Sequence, residues 1–393
     1  MTFVEDLDVK GKRVFVRVDF NVPLKETGEI RNDTRIRASL PTITYLIGRG
    51  AKLVLASHLG RPKEKPEPAM SLKPVAKRLT ELIGKTVLLA PDCVGPEVER
   101  LKDGLKEGDV LLLENVRFQP GETKNDPELS KQFASGIDIF VNDAFGSSHR
   151  AHSSVVGIAD FVPVRAAGYL MKKEVDYLRK AVHSPAKPYI AILGGAKSED
   201  KIPVIENLLN KADHILIGGA MAYTFLKAQG HAVGTSIVET DKIEVARAIL
   251  AKAKDKGVDF RLPLDHVLAT SVESGVAVQT VDSYPFPANL MGVDIGPKTI
   301  VAYSAIIAKA KTVVWNGPLG VFESPAFARG TFKIAEAVAN SGALTIVGGG
   351  DSIAAVEKAG VSAKITHIST GGGASLEFLA YETLPGIEAL EKK

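Results

Sequence analysis

The sequence holds a single cysteine, Cys93, among 393 residues, so no internal disulfide can form. That usage fits a reducing compartment. No apolar run reaches the roughly 18 residues that a membrane-spanning helix needs. Met1 to Lys12 is mixed and charged and lacks the apolar centre of a secretory signal, so a cytoplasmic location is expected. Aromatic residues make up only 6% of the chain, too few for base-stacking platforms. The net charge of +3 falls evenly on the two halves, without the basic stripe of a nucleic-acid binder. Chemical signatures are missing too. No Gly-x-Gly-x-x-Gly follows a candidate strand, and there is no Gly-x-Ser-x-Gly elbow. His149 and His152 lack a third histidine or a cysteine nearby, which argues against zinc. Gly84-Lys85-Thr86 resembles the end of a phosphate loop, but Leu79 stands where the first glycine is required.

What the chain does have is ordinary globular composition, 45% hydrophobic and 24% charged, with 36 glycines. Short Val-, Ile- and Leu-rich runs alternate with helical patterns. Candidate strands are 13–18, 52–57, 86–90, 109–113 and 137–142, then 189–193, 214–217, 312–315, 343–347 and 364–368. Helices are expected over 72–83, with Ser71 as N-cap, over 241–256 and over 326–340. Strands without polar alternation, separated by helices, predict parallel sheets covered on both faces. The fold class is therefore α/β, with two doubly wound parallel-sheet, Rossmann-like domains. A helix over 169–183, ending before the turn Ser184-Pro185-Ala186-Lys187-Pro188, would join them as a hinge.

Ligands of open parallel sheets bind beyond the carboxyl ends of the strands. In the first half those ends carry Asp19 and Asn21, then His58 and Arg61, then Arg117, then His149 and Arg150. Arg35 and Arg37 fall at the start of a helix, where a cation opposes the macrodipole unless an anion sits there. Arginine is the side chain suited to bidentate phosphate or carboxylate binding. Surface salt bridging explains any one of these arginines; it explains the whole set poorly.

In the second half the same positions carry Gly194-Gly195-Ala196-Lys197, Gly218-Gly219-Ala220, Asn316-Gly317-Pro318, Gly348-Gly349-Gly350-Asp351-Ser352 and Ser369-Thr370-Gly371-Gly372-Gly373. Glycine lets backbone N–H groups approach a phosphate, and a following helix N-terminus favours negative charge. Ser198 reads as an N-cap, and Lys201 follows in the first turn with the wrong sign for the dipole. A phosphate facing Lys197 and Lys201 would explain it; an intrahelical or solvent role is the alternative. Asp351 is either an N-cap or a Mg²⁺ ligand. Glu323 is either surface charge or an acceptor for ribose hydroxyls.

The order of these segments resembles the phosphoglycerate kinase family from about Val9 to Glu377. The resemblance rests on Arg17-Val18-Asp19-Phe20-Asn21-Val22-Pro23, Ser57-His58-Leu59-Gly60-Arg61-Pro62, Glu114-Asn115-Val116-Arg117-Phe118 and His149-Arg150-Ala151-His152-Ser153-Ser154. The second half adds Gly194-Gly195-Ala196-Lys197, Trp315-Asn316-Gly317-Pro318 and Gly348-Gly349-Gly350-Asp351-Ser352. It implies reversible, Mg-dependent phosphoryl transfer between ATP and the carboxylate of 3-phosphoglycerate, giving ADP and 1,3-bisphosphoglycerate. Domain closure and charge stabilisation would drive it, without a general base.

By the same resemblance, residues 1–168 with about 375–393 form the 3-phosphoglycerate domain, and 169–374 the nucleotide domain. Asp19, Asn21, Arg35, His58, Leu59, Gly60, Arg61, Arg117 and Arg150 would bind substrate. Gly195, Ala196, Lys197, Lys201, Gly218, Gly219, Gly292, Val293, Asn316, Pro318, Glu323, Gly349, Gly350, Asp351 and Ser352 would bind nucleotide, Asp351 also holding Mg²⁺. Arg35, Lys197, Lys201, Gly350 and Gly372 would surround the transferred group. Val293 and Ser352 stand where the family varies. The implied protein is a cytoplasmic monomer acting on small molecules, with no nucleic-acid or membrane partner.

Overall fold

The computed structural model describes residues 1–392. They divide into two compact units, Met1–Asp176 with Thr383 onward, and Tyr177–Glu382.

The first unit is built on β1 (Arg13–Arg17), β2 (Lys52–Ala56), β3 (Val87–Leu89), β4 (Val110–Leu112), β5 (Ile139–Asn142) and β6 (Val164–Ala167). They form one sheet in the order β3-β4-β2-β1-β5-β6, every pair parallel. Its helices are α1 (Thr34–Gly48), α2 (Lys73–Ile83), α3 (Pro96–Asp103), α4 (Pro127–Ala134) and the start of α5 (Tyr169–His183). Val14, Phe15 and Val16 are all fully buried, as both faces of a helix-covered parallel sheet require. Val14 and Val16 join Leu53, Ile43, Leu46 and Leu79 in one core. Phe15 packs on the other face against Phe133 and Phe140, at ring distances of 5.9 and 6.1 Å. The chain leaves β1 toward β2 and leaves β5 toward β6, so the connections diverge between β1 and β5.

The second unit starts with the rest of α5, then β7 (Tyr189–Leu193), α6 (Ile202–Leu208), β8 (His214–Ile217), α7 (Met221–Ala228), α8 (Ile243–Asp255) and β9 (Asp259–Arg261). An antiparallel trio follows, β10 (His266–Ala269), β11 (Gln279–Val281) and β12 (Met291–Ile295). The unit continues with α9 (Pro297–Ile307), β13 (Thr312–Asn316), α10 (Arg329–Ala339), β14 (Leu344–Gly348), α11 (Gly350–Lys358), β15 (His367–Ile368) and α12 (Gly373–Tyr381). Its main sheet is parallel, in the order β15-β14-β13-β7-β8-β9, and its connections diverge between β7 and β13. The last helix, α13 (Pro385–Glu391), belongs to the first unit.

Two six-stranded parallel sheets match the expected fold class. Several local expectations change. The antiparallel trio was not foreseen, nor were β6 and β9. β11 is largely exposed, and β9 reads Asp-Phe-Arg, so neither carries a hydrophobic run. The first part of the expected 364–368 strand is taken by a 3₁₀ turn at Ser362–Lys364. Ser71 does not cap α2; its hydroxyl donates to Glu114 at 2.6 Å and accepts the Lys73 N–H at 3.2 Å, while Leu72 occupies the cap. The contact division falls at 176/177 and 382/383, where the sequence suggested 168/169 and about 375. α12 stays with the second unit because it packs on α6 and its Leu379 carbonyl accepts from Asn207.

α5 is anchored at its start by the first unit. The Asp143 carboxylate accepts the Leu170 and Met171 N–H groups at 2.9 and 3.1 Å, and Thr42 Oγ1 accepts that of Tyr169 at 2.9 Å. Asp143 is fully buried, and burial pushes its pKa up to about 7 against these bonds. A carboxyl raised in the folded state favours folding below its unfolded pKa of about 4, and that stability drains away as pH rises toward 7. Asp143→Asn keeps the acceptor and removes the charge. It should flatten the fall in stability between pH 4 and 8 by up to about 4 kcal/mol. Urea denaturation at pH 5 and pH 8 measures this; a pH dependence unchanged from the parent would show that Asp143 is ionised throughout.

Candidate active site

Side-chain bonds tie together three strand ends of the first sheet, and a fourth, beyond β5, adds its charge to them. Beyond β1, Asp19 accepts the Asn21 N–H at 3.1 Å and pairs with Arg35 at 2.8 Å. Arg35, in the first turn of α1, thus has a carboxylate partner within the protein, which offsets part of its conflict with the dipole. Arg37 pairs with Asp33 on the surface and takes no part. Beyond β2, His58 and Leu59 are buried, Gly60 turns at φ +63°, and Arg61 is exposed. The Asn21 side chain accepts the Gly60 N–H at 2.8 Å. Beyond β4, the buried Asn115 amide donates to the Leu59 and Met70 carbonyls, and Arg117 donates to the Gly60 carbonyl at 2.7 Å. Beyond β5, exposed Arg150 donates to His149 Nε2 at 3.1 Å.

The cluster is short of negative charge. Burial first, then Arg17, Arg150 and Arg61, pull the Arg117 pKa down to about 10, against the attraction of Glu122. Arg117 Nε is buried with no partner. The histidines among these cations are held neutral. Burial and Arg17 push His152 down to about 3, burial and Arg17 push His58 well below its usual range, and burial and Arg150 lower His149.

Beneath the cluster lies a layer that sequence reasoning missed. Arg17, 1% exposed, donates to Ser154 Oγ at 2.8 Å, to the Val18 carbonyl and to His58 Nδ1 at 3.2 Å. The buried Glu122 accepts from Ser154 through both its backbone N–H and its hydroxyl, at 3.0 and 2.5 Å. An arginine closing an otherwise apolar strand was the available signal. A separate groove of about 1230 Å³ runs between residues 25–34 and α2. Its Lys25 and Arg78 are already paired with Glu29, Asp33 and Glu81, so it is less starved of anions than the arginine cluster.

In the second unit the predicted turns interlock at the divergence between β7 and β13. Gly194 N–H donates to the Asn316 carbonyl at 3.0 Å and Gly195 N–H to that of Pro318 at 2.8 Å. Gly219 N–H donates to the Leu319 carbonyl at 3.0 Å, and a Cβ on Gly219 would stand 2.5 Å from the Gly195 nitrogen. Gly317, at φ +93°, leaves no room for a Cβ beside the Gly194 carbonyl. Asn316 ties in β14 by donating to the Gly348 carbonyl at 2.9 Å. Gly348 in turn lies against Ser375, whose hydroxyl closes the Gly372 turn at the start of α12. The turns after β7, β8, β13 and β14 therefore form one surface with the N-termini of α11 and α12.

Individual residues sort clearly on this surface. Lys201 is half-buried beside Gly195; burial lowers its pKa, and Asp200, Asp351 and Glu239 oppose. Asp351 is not an N-cap: Gly349 holds that position, and Asp351 is exposed in the first turn of α11. Ser198 holds the N-cap position of the 3₁₀ turn Glu199–Lys201, but its side chain does not cap: its hydroxyl and N–H both donate to Glu239, at 2.6 and 2.5 Å. Ser352 is fully buried with its hydroxyl accepting the Gly317 N–H at 2.6 Å, so its side chain holds a turn. Ala196, Lys197, Glu323 and Gly350 are exposed, and Gly218 packs on Leu319. Gly292 and Val293 belong to the antiparallel β12. Gly292 N–H donates to Ser236 at 2.9 Å, and Val293 is buried, its carbonyl accepting from Val321.

An anion-seeking cluster in one Rossmann-like unit and layered glycine turns in the other define a phosphotransferase of the two-domain α/β class. A family model described as phosphoglycerate kinase matches residues 4–382. Curated relatives include the phosphoglycerate kinases of Koribacter versatilis, 57% identical over 99% of both chains, and Acidobacterium capsulatum, 58% identical over 99% of both. Among solved structures, the phosphoglycerate kinase of Coxiella burnetii aligns with a TM-score of 0.90 at 41% identity, covering 99% of this chain and 98% of that one. That of Pyrococcus horikoshii aligns at 0.82 and 38% identity, covering 100% and 98%. The chain belongs to the phosphoglycerate kinase family. Its reaction is the transfer of a phosphoryl group between ATP and 3-phosphoglycerate.

Gly317→Ala tests the interlocked turns. A methyl group at φ +93° against the Gly194 carbonyl should cost about 2–3 kcal/mol of stability. The same displacement should raise KM for ATP far more than KM for 3-phosphoglycerate. Thermal unfolding and steady-state kinetics read both; equal rises in the two KM values would show that the turn does not belong to the nucleotide site.

Proposed function

We propose that the first unit binds 3-phosphoglycerate and the second binds the nucleotide, through the residues assigned by resemblance above. The observation that carries this reading is the anion deficit around Arg117. A guanidinium already repelled by three others, with a buried unpartnered Nε, gains most from a phosphate or carboxylate. The glycine turns, Lys197 and Lys201 supply the corresponding surface for a polyphosphate.

The acceptor in this reaction is a carboxylate, ionised at neutral pH, so no base has to remove a proton. The depressed histidines suit that chemistry, because a histidine with a pKa of about 3 is a poor base. The protein's contribution is then positioning and charge stabilisation. Arg35 on the first unit would supply part of that charge, and Lys197, Lys201 and the N–H groups following Gly350 and Gly372 on the second would supply the rest. With the reactants assigned to different units, transfer requires the units to close over them and exclude water.

Mg²⁺ belongs to the proposal through Asp351. No group of three or more acidic, histidine or cysteine side chains among the described residues could hold a metal. A lone exposed carboxylate suits Mg²⁺, which takes its remaining ligands from phosphate and water. When bound, the ion neutralises charge on the phosphate oxygens. A monomeric, cytoplasmic enzyme with only small-molecule partners completes the reading. No helix among the described residues is long and apolar enough to cross a membrane.

Arg35→Ala should lower turnover about 100- to 1000-fold, the usual effect of losing one preorganised charge donor. Arg35→Lys should recover only part, since an ammonium cannot reproduce the guanidinium fork. Steady-state rates in both directions measure this, and parental turnover in the alanine variant would remove Arg35 from the site. Asp351→Ala should weaken binding of Mg-ATP and leave metal-free ADP nearly unaffected. Calorimetry with and without Mg²⁺ distinguishes the cases; equal losses would make Asp351 a general electrostatic contributor.

A further inference from the structure

We propose that Arg17 is a positioning residue that locks His58 as the neutral tautomer with its proton on Nε2, making His58 an uncharged hydrogen-bond donor to 3-phosphoglycerate. The role in binding rests on the assignment of His58 to that substrate; the tautomer does not.

Arginine has five N–H donors and no acceptor. The Arg17 Nη2 to His58 Nδ1 contact of 3.2 Å therefore requires a lone pair on Nδ1. The proton of a neutral imidazole then resides on Nε2, and an imidazolium, with N–H on both nitrogens, would set donor against donor. The arginine cannot turn aside. It is 1% exposed, with Nε on Ser154 Oγ at 2.8 Å and Nη1 on the Val18 carbonyl, so two contacts fix the fork while the third meets the ring. Ser154 is fixed in turn by Glu122. The titratable groups that bear most on His58 are basic, Arg17, Arg117, Arg35 and the His152 imidazole, while Asp19 and Glu122 lie beyond, acting on Arg35 and Arg17. The sign of the basic groups and the burial of the ring both oppose protonation, in agreement with the hydrogen-bond geometry. No described residue takes Nε2.

This arrangement has a chemical purpose for an anionic ligand. The other cluster members are cations that attract any anion. A neutral donor adds direction without further cation–cation repulsion, and its hydrogen bond does not vary with pH across the neutral range.

The test uses the full chain with ¹⁵N-labelled histidine rings. The His58 signals among eight histidines are identified by their loss in His58→Gln. The expected spectrum shows an unprotonated Nδ1 and a protonated Nε2, unchanged from pH 5 to pH 8. A proton on Nδ1, or titration to an imidazolium in that range, overturns the proposal without any Arg17 variant. Arg17→Lys keeps a cation opposite Glu122 but loses the fork. It should give mixed tautomers and raise KM for 3-phosphoglycerate about tenfold, with KM for ATP within about twofold. A loss of kcat alone, with His58 still locked, overturns the role of Arg17. If Arg17→Lys does not fold, Ser154→Ala loosens the same arginine and should shift the tautomer in the same direction; a tautomer unmoved in Ser154→Ala counts against the lock. Addition of 3-phosphoglycerate should move the Nε2 signal and leave Nδ1 unprotonated. A locked tautomer that ignores 3-phosphoglycerate would overturn the assignment of the site while leaving the lock intact.

Discussion

A parallel sheet finishes all its strands at one edge, and where outgoing connections diverge that edge is left uncovered. Both units depend on this constraint. In the first, the divergence between β1 and β5 exposes the strand ends that carry Asp19 on one side and His149 with Arg150 on the other. In the second, the divergence between β7 and β13 lets the turn at Gly194 and the turn at Gly317 meet without intervening helices. Each site is thus a by-product of winding direction, and the residue types at the edge decide what it binds.

The two units fill that edge by opposite means. The first uses long side chains cross-bracing one another: Asn21 to Gly60, Arg117 to Gly60, Asn115 to Leu59. Cations assembled this closely repel, and burial first, then that repulsion, depresses the Arg117 pKa. The second uses backbone. Its glycines are packed so closely that their amides donate to the carbonyls of Asn316, Pro318 and Leu319 in the facing turn, leaving few side chains on the surface besides Lys197, Lys201 and Asp351. A site made of backbone gains its polarity from helix N-termini and keeps it whatever the pH.

The main strands, the divergent α/β scheme and the clustering of Arg35, Arg61, Arg117 and Arg150 were legible because apolar runs and the cations after them are local signals. What escaped was non-local. Nothing adjacent in sequence shows that Asp19 neutralises Arg35, that Ser198 turns to Glu239, or that Ser352 braces Gly317 from 35 residues away. Arg17 escaped because a charged residue at the end of a strand reads as a surface feature. Its burial is tolerated only through Glu122 and Ser154, more than 100 positions further on. β11 escaped because it is short and largely exposed, and β10 and β12 because His266, Gly292 and Asp294 break up their apolar runs although both strands are mostly buried.

The first unit is not made from one continuous stretch of chain. Its last helix, α13, follows the whole of the second unit and buries Ile387 and Leu390 in the first. There the Gly386 N–H meets the Ser148 carbonyl, Arg165 holds the Ala389 carbonyl, and the N-terminal ammonium pairs with Glu391. During synthesis from the N-terminus, residues 177–382 can complete their own fold while the earlier unit still lacks its final helix. Residues 1–176 are therefore completed only after residues 177–382 have been made, and their Ile387 and Leu390 socket stays open until α13 has been synthesised.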